Sequence, residues 1–328
     1  MLAAFAIEGQ ALRRLEDSAR IETLQNAAWI DLTHMTADEA ALVEAATGLH
    51  VASRAELQEI ETSSRLGYTA GALYLSAPLV TPSGTADGPA APIGFALSPR
   101  CLITVRFAPS RAIDDFIARV ERADAAPPGP VHIFVSLLEA LVDRLADRLE
   151  QITADLDAVS RRIFQGDLAA GGPPRQSDAV LRDALKVVGQ AGNLVSHIRD
   201  SLLGIARLLP YTEQMAGEWI PAELHPRFQT LRQDIVSLGD YDAQMLNKVQ
   251  LLLDATLGFI NIAQNNIIKL LTVVSVVGIP PTLVASLYGM NFKDMPELSW
   301  SWGYPYGLAL IVISAVVPLI WFWRRGWV

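Results

Sequence analysis

The sequence predicts an α+β cytoplasmic domain, then long helices, then a C-terminal hairpin of two transmembrane helices. Short apolar runs separated by turn residues occupy residues 1–125, and an apolar repeat at three- and four-residue steps follows from residue 131. Two apolar runs close the chain, at about 267–288 and at 304–323. Each run has about 20 residues, which is enough to cross a bilayer core.

The mixed α/β pattern is confined to residues 1–125. The predicted strands are Ala3–Ile7, Trp29–Leu32, Ala72–Leu75, Ile93–Leu97 and Cys101–Phe107. Thr36 and Glu39 have the spacing of a capping box and predict the start of a helix. Pro78–Pro92 is rich in Pro and Gly, so it is expected to be an exposed loop or a hairpin turn.

Residues 126–238 are predicted to form a helical hairpin and a connector. The apolar repeat runs from Val131 to Gln165 and again from Gln176 to Leu209, with a Gly-Pro turn between them. Pro210–Pro226 is expected to be the connector, and Gly239 a possible break. From 239 to 288 one helix is expected to reach and cross the membrane. A helix of that length needs partners, so the sequence favours an oligomer.

Composition argues against enzyme chemistry and against nucleic acid as a partner. The net charge is −9, the single cysteine is Cys101, and the five histidines are scattered without metal-ligand spacing. There is no Gly-rich phosphate loop and no serine nucleophile motif, and no covalently bound cofactor is expected.

The charges that flank the apolar runs predict the topology. No basic region precedes Glu8, so residues 1–264 are expected to stay in the cytoplasm. Arg324 and Arg325 follow the second run as a basic tail, 324–328, which favours a cytoplasmic C-terminus. The expected protein is a two-span inner-membrane protein in contact with lipid, with the loop 289–303 in the periplasm.

The first apolar run carries a stripe of small polar residues at helical spacing. Such a face on a membrane helix points at another helix or at water. Helix packing and the lining of a pore both explain the stripe, and the residues alone leave the two alternatives open. Together with the apolar positions on the same face, the candidate pore-lining residues are Asn265, Ile268, Leu271, Thr272, Ser275, Ile279, Thr282 and Ser286.

The end of this run carries a distinctive motif. It reads Tyr-Gly-Met-Asn at 288–291, and Met-Pro-Glu-Leu follows at 295–298. The motif and its place between two membrane segments resemble the signature of the CorA-type magnesium and cobalt transporters. The resemblance extends to 258–262, 280–286 and 303–305, and the opening residues 1–5 are similar to the proteobacterial, magnesium-transporting branch.

The resemblance implies a funnel-shaped homopentamer that imports hydrated Mg²⁺, and also Co²⁺ or Ni²⁺, down its electrochemical gradient. It implies a selectivity filter at Gly289, Met290 and Asn291, in which Gly289 and Asn291 face the ion and Met290 shapes the loop. In the family the positions of Ile268, Leu271 and Ile279 are hydrophobic constrictions, although Met is common at two of them.

The family closes when cytoplasmic Mg²⁺ binds acidic residues between subunits, which makes Mg²⁺ both substrate and regulatory ligand. Our candidates for this role are Asp234, Asp240 and Asp242, which stand near the start of the long helix. A solvated helix face is the alternative interpretation of these aspartates.

Two other functions compete with magnesium transport. The first is zinc transport, with proton coupling, in the same superfamily. The zinc-transporting branch commonly has Val where Met290 stands, and the chain lacks the Cys and His clusters that zinc prefers. The second is a membrane-anchored sensor or scaffold that conducts no ion.

Overall fold

The computed structural model describes residues 1–9, 11–16, 18, 20–59, 61–83, 86–122, 127–165, 174–291 and 295–327. The chain divides into two compact units. The first unit combines Met1–Phe164 with Ala184–Leu252, and the second combines Gln165–Asp183 with Leu253–Val328.

The first unit is built on a seven-stranded sheet. Its strands are β1 (Leu2–Glu8), β2 (Ala11–Arg14), β3 (Trp29–Thr33), β4 (Leu66–Thr69), β5 (Ala72–Ser83), β6 (Ala86–Leu97) and β7 (Leu102–Arg106). Their order across the sheet is β2-β1-β3-β7-β6-β5-β4. β3 and β7 run parallel, with Trp29 opposite Leu102 and Thr33 opposite Arg106, and the other neighbours described are antiparallel.

The segment 78–92 belongs to a long hairpin, so the expectation of an exposed loop was wrong and that of a hairpin was right. β5 and β6 pair through Pro78 opposite Pro92 and onward to Ser83 opposite Ala86. β6 contacts β7 only from Ile93 onward, and β5 contacts β4 only up to Leu75. The prolines therefore lie beyond β4 and β7, where their missing amide hydrogens cost no bond to either of these strands.

Helices cover both faces of this sheet. They are α1 (Ile21–Gln25), α2 (Ala37–Thr47), α3 (Arg54–Leu57), α4 (Thr62–Arg65) and α5 (Arg111–Arg122). One face of the sheet buries Ile30, Leu32, Ile103 and Val105 together with Val43 of α2. The opposite face carries Trp29, whose ring meets that of Phe116 of α5 at 5.6 Å. The predicted capping box at Thr36 and Glu39 opens α2.

Four long helices form most of the rest of the described chain. They are α6 (Pro130–Gln165), α7 (Pro174–Ala216), α8 (His225–Tyr288) and α9 (Gly303–Arg324). The predicted connector 210–226 is too long, because Pro210 lies inside α7 and the helix continues to Ala216. Leu208, Leu209 and Thr212 are fully buried there, so packing holds the helix past its proline.

The predicted break at Gly239 is also absent. α8 runs through it without interruption. Ile235 and Met245 are buried on either side, and tertiary packing outweighs the modest cost of one helical glycine. Within the first unit the polar contacts that tie α8 to α6 include Arg227 Nε to Glu139 Oε1 (2.9 Å), Thr153 Oγ1 to Tyr241 Oη (2.8 Å) and Lys248 Nζ to Asp157 Oδ1 (2.6 Å).

The second unit contains the lower-polarity part of α8 and all of α9, and both helices are long and apolar enough to cross a membrane. Most side chains of these segments are exposed in the single chain. The less exposed positions of α8 recur on one face, at Val273, Val277, Pro280, Val284 and Tyr288, and those of α9 at Gly303, Gly307, Ile311, Ser314, Pro318 and Phe322. Spacings of three and four residues indicate that each helix buries one narrow stripe.

Gly204 of α7 is expected to be intolerant of a side chain. A Cβ atom there would lie 2.8 Å from Pro78 Cδ and 3.1 Å from Ala77 Cβ, whereas at Gly189 of the same helix it would meet nothing within 4 Å. Gly204→Ala should therefore destabilise the protein by about 1–3 kcal/mol. Gly189→Ala should stabilise it by about 0.5–1 kcal/mol. Thermal melting of the two variants in detergent checks this, and equal shifts would contradict it.

Candidate functional site

The predicted stripe on α8 lies on the open side of the helix. Asn265, Ile268, Leu271, Ile279, Thr282 and Ser286 are exposed, and Thr272 and Ser275 are half-buried. Ile279 is 64% exposed, whereas Val273, on the packed stripe, is 8% exposed. The structure thus places six of the eight predicted residues, and part of the other two, on a surface that a single chain leaves uncovered.

The two threonine hydroxyls of the stripe present acceptors rather than donors. Thr272 Oγ1 donates to the carbonyl of Ile268, and Thr282 Oγ1 to the carbonyl of Gly278, each at 2.8 Å. Each hydroxyl hydrogen is therefore used within the helix, and the oxygen lone pairs remain for an external donor. The water molecules around a hydrated divalent cation are such donors.

Two prolines add uncommitted acceptors between these threonines. Pro280 and Pro281 lie within α8. Because proline has no amide hydrogen, the carbonyls of Val276 and Val277 lack their usual donors four residues later. α8 continues through Pro280 and Pro281 to Tyr288, so the two prolines weaken its hydrogen-bond ladder without ending the helix.

The last turn of α8 is closed by Gly289. Its amide donates to the carbonyl of Ala285 at 3.0 Å, and the amide of Met290 donates to the carbonyl of Leu287 at 3.4 Å. A Cβ atom at Gly289 would lie 3.2 Å from the Ala285 oxygen, so glycine permits the tight turn. Asn291 follows and is exposed. Residues 292–294, part of the predicted loop 289–303, lie outside the described residues.

Aromatic side chains mark both ends of α9. Trp302 is 75% and Tyr304 is 80% exposed at its start. At its other end the Phe322 and Trp327 rings are 5.4 Å apart, and the Arg325 guanidinium lies 5.0 Å from the centre of the Trp321 ring. Belts of Trp and Tyr are typical of the two membrane–water interfaces. The length between them agrees with a transmembrane helix.

Comparison with known proteins identifies the family. The model of the "CorA-like Mg2+ transporter protein" family matches residues 25–325. The chain belongs to this CorA-like family. It is 32% identical over 327 residues to the "Magnesium transport protein CorA" of Escherichia coli K12, and equally to that of Salmonella typhimurium, with 100% of each chain covered.

Solved structures confirm the CorA fold. The complete CorA magnesium transporter of Methanocaldococcus jannaschii matches with a TM-score of 0.75 and 18% identity, covering 100% of this chain and 99% of the other. The full-length CmaX protein matches with a TM-score of 0.67 and 18% identity, covering 98% and 96%. The predicted α+β domain, long helices and two C-terminal apolar helices are thus confirmed. At these identities the likeness concerns the fold alone.

The three aspartates suggested as a regulatory site have different surroundings in this CorA-like chain. Asp234 and Asp240 are exposed on α8. Asp242 is fully buried, and its Oδ2 accepts a hydrogen bond from Nε of Arg199 at 2.8 Å. Its Oδ1 has no hydrogen-bond partner. Asp242 therefore joins α8 to α7 within the first unit, and only Asp234 and Asp240 are accessible.

Burial dominates the ionisation of Asp242. Desolvation raises the pKa of its carboxyl, the Arg199 guanidinium opposes this, and Asp200 adds to the rise. In the part of the chain that the structure describes, no three His, Cys, Asp or Glu side chains gather closely enough to hold a metal ion. A regulatory cation at Asp234 or Asp240 would therefore need ligands from elsewhere.

An acidic row on α6 was not predicted from the sequence. The pKa of Asp143 is raised by burial and by the nearby carboxylates of Glu139, Asp147 and Asp234. Glu139, Asp143 and Asp147 are spaced by four residues, so they share a helix face. That spacing was visible in the sequence, but only the packing of α6 near α8 places Asp234 beside it.

Removing the partner of Asp242 should create a pH-dependent defect. In Arg199→Gln the carboxylate is left buried without its cation, so the variant should lose about 1–3 kcal/mol at pH 7. The pKa of Asp242, already raised, should rise further. The Asp242 carboxyl then makes its full contribution to stability when the pH is below about 4, the ordinary pKa of aspartate. This contribution is lost as the pH rises through the raised pKa of the folded protein.

Melting temperatures at pH 5 and pH 7 test this prediction. Arg199→Gln should approach the wild type in stability as the pH falls. The double variant Arg199→Gln/Asp242→Asn should lack this recovery, because it has no carboxyl to protonate. A defect in Arg199→Gln that is independent of pH would contradict the assignment.

Proposed function

We propose that this CorA-like chain forms a homopentameric pore that imports hydrated Mg²⁺ across the inner membrane. The observation that carries the proposal is the exposed stripe of acceptor oxygens on α8, which leads to Gly289 and Asn291 at the end of the helix. The full-length relatives at 32% identity are named magnesium transport proteins, which supports Mg²⁺ as the ion. Co²⁺ and Ni²⁺ are similar enough as hydrated ions to pass as well.

Self-association follows from the exposed surface of α8. With 64 residues at 1.5 Å each, α8 is roughly 96 Å long. Outside the apolar span it exposes Val236 (62%), Leu251 (61%) and Leu257 (45%), which copies of the chain around an axis would cover. One two-helix hairpin cannot enclose a water-filled path, so several copies are needed to place the α8 stripes around a pore.

The stripe suits an ion that keeps its water. Mg²⁺ dehydrates reluctantly, and uncharged oxygens of Asn265, Thr272, Ser275, Thr282 and Ser286 can accept hydrogen bonds from its first-shell water molecules. The filter would consist of the Gly289 backbone and the Asn291 side chain, with Met290 shaping the loop. The stripe carries no carboxylate, so binding is weak enough for the ion to leave.

Apolar positions on the same stripe would form the gate. Ile268, Leu271 and Ile279 are between 59% and 66% exposed in the single chain, and in a pentamer each would contribute a ring of five side chains around the axis. A narrow apolar ring excludes water and therefore blocks a hydrated ion. A small rotation or widening of α8 would rewet the path.

The membrane potential would drive the flux. With both termini in the cytoplasm, as Arg324 and Arg325 suggest, Mg²⁺ enters toward the negative side. Moving two charges through 100 mV releases about 4.6 kcal/mol, which corresponds to a gradient of roughly two thousand-fold. Import therefore requires no chemical energy source.

Closure would depend on cytoplasmic Mg²⁺ bound between subunits near Asp234 and Asp240. Asp234 lies close enough to Asp143 of α6 to raise the pKa of its carboxyl, so α6 adds negative charge near this part of α8. Asp242 would contribute indirectly, by holding α8 to Arg199 of α7. Cation binding that draws neighbouring α8 helices together would narrow the apolar rings.

Asn291→Ala should abolish Mg²⁺ uptake and leave assembly intact, because the side chain lies at the exposed end of the pore helix and supports no packing. The measurement is Mg²⁺ entry into proteoliposomes followed with an internal dye. Asn247→Ala, the same change at an exposed position of α8 outside the apolar span, is the control and should conduct normally. Normal uptake by Asn291→Ala would remove this residue from the filter.

The same assay separates the competing functions. Separate arms with Zn²⁺ and with a proton gradient test the zinc alternative. Zinc entry that depends on protons, with little Mg²⁺ entry, would overturn the magnesium proposal. A wild-type protein that assembles but passes neither ion would indicate a non-conducting sensor or scaffold.

Asp234→Asn/Asp240→Asn should conduct Mg²⁺ at internal concentrations that close the wild type. Neutral amides keep the size of the side chains but bind a hard cation far more weakly. Asp115→Asn, an exposed aspartate of α5, is the matched control. Unchanged dependence on internal Mg²⁺ in the double variant would show that regulation lies elsewhere.

A further inference from the structure

A cleft of about 300 Å³ opens on the sheet of the first unit, between the strands and α5. No part of the proposed ion path uses it. The polar residues of its lining are Arg14 of β2, Asp31 and Thr33 of β3, Arg106 of β7 and Asp114 of α5, and the apolar lining includes Ile117 of α5.

The cleft lies where the topology of the sheet favours a ligand. β3 and β7 are parallel, and Thr33 and Arg106 are the last residues of the two strands. The chain leaves β3 for α2, which packs on the Val105 face, and leaves β7 for α5, which packs on the Trp29 face. A crevice at the carboxyl ends of two parallel strands whose connections diverge to opposite faces is the usual ligand position in open α/β sheets.

A buried charge pair forms the floor of the cleft. Asp31 is 2% and Arg106 is 7% exposed. Oδ2 of Asp31 accepts from Nε and Nη2 of Arg106 at 3.1 and 2.9 Å, and its Oδ1 accepts from Thr104 at 2.6 Å. Nη2 of Arg106 also contacts Oδ1 of Asp114 at 2.8 Å. Among the described contacts none involves Nη1, so two donors of this guanidinium are not committed.

Arg14 supplies a second positive charge on the same face. It pairs in register with Phe5, and Phe5 lines the cleft, whereas the preceding Arg13 is opposite Ala6 and faces the other way. Arg13 forms an exposed ion pair with Glu8 at 3.7 Å. For Arg14 no ion pair is found within the described residues. Asp31 and Asp114 share the one guanidinium of Arg106, and Arg14 brings the charge of these four side chains to zero while its own donors have no partner among the described ion pairs.

We propose that this cleft binds a small organic anion, a carboxylate or a phosphate ester attached to one compact apolar group. The anionic oxygens would accept hydrogen bonds from Arg106 and Arg14, and the apolar group would lie against Ile117. An anion is favoured over a cation because the donors of both arginines are open to it, whereas the oxygens of Asp31 already accept from Arg106 and Thr104. Arg106 is held in place by Asp31 and Asp114 before the ligand arrives, so little side-chain entropy is lost on binding.

The test uses three probes of similar shape on the full-length protein in detergent: benzoate, phenyl phosphate and benzamidine, which carries the opposite charge. Ligand-observed NMR titrations give the dissociation constants. Benzoate or phenyl phosphate should bind, and the better of the two identifies the anionic group. Binding of benzamidine as tight as that of both anions, or no binding of either anion at millimolar concentration, would overturn the proposal.

Matched variants locate the binding. Arg14→Gln should raise the dissociation constant of the preferred anion by about tenfold or more, because it removes a charge-assisted hydrogen bond. Arg13→Gln, one residue away on the opposite face, should leave the affinity unchanged. Ile117→Trp should block the cleft and abolish binding without touching either arginine. Equal losses in Arg14→Gln and Arg13→Gln, with unchanged melting temperatures, would show that the anion binds elsewhere. None of these readouts depends on ion transport.

Discussion

The continuity of α8 is the constraint on which the rest of the structure depends. Inside a bilayer every backbone amide and carbonyl must find its partner within the protein, and an unbroken helix is the simplest way to satisfy this. α8 meets the condition across its apolar span, with two prolines as the exception. The same helix must also leave the membrane as a water-exposed rod, which is unstable unless other elements cover one side.

The cover for the water-exposed part of α8 comes from α6 and α7, and it combines apolar packing with polar ties. Ile235, Met245 and Leu252 are buried along α8. Arg227, Tyr241 and Lys248 reach side chains of α6, and Asp242 reaches Arg199 of α7. Apolar packing supplies most of the free energy, while the directional contacts determine which helix faces meet. α7 packs so closely on β5 that only glycine fits at position 204.

The sheet also combines apolar packing with a buried pair of charged side chains. The face lined by Trp29 and Phe5 also buries Asp31 and Arg106. Removing these two charges from water costs free energy that an apolar pair of the same volume would not cost. The cost is reduced because Thr104 donates to Asp31, Asp114 accepts from Arg106, and Arg106 lines a cleft that is open to water. Burial raises the pKa of the Cys101 thiol to about 12, so the single cysteine serves the core.

The sequence by itself determined the two membrane-length helices, the motif at 288–291, the long helical hairpin and the stripe on α8, because these depend on local periodicity and length. Tertiary structure alone decided that Pro210 and Gly239 stay inside helices, that 78–92 forms a hairpin and not an exposed loop, the two alternatives that the sequence left open, and that Asp242 is buried against Arg199. A glycine or a proline inside a helix costs about 1–3 kcal/mol, and the packing of a whole helix face contributes more than that. The partner of a charged side chain depends on which elements meet, and this information is not contained in its neighbours along the chain.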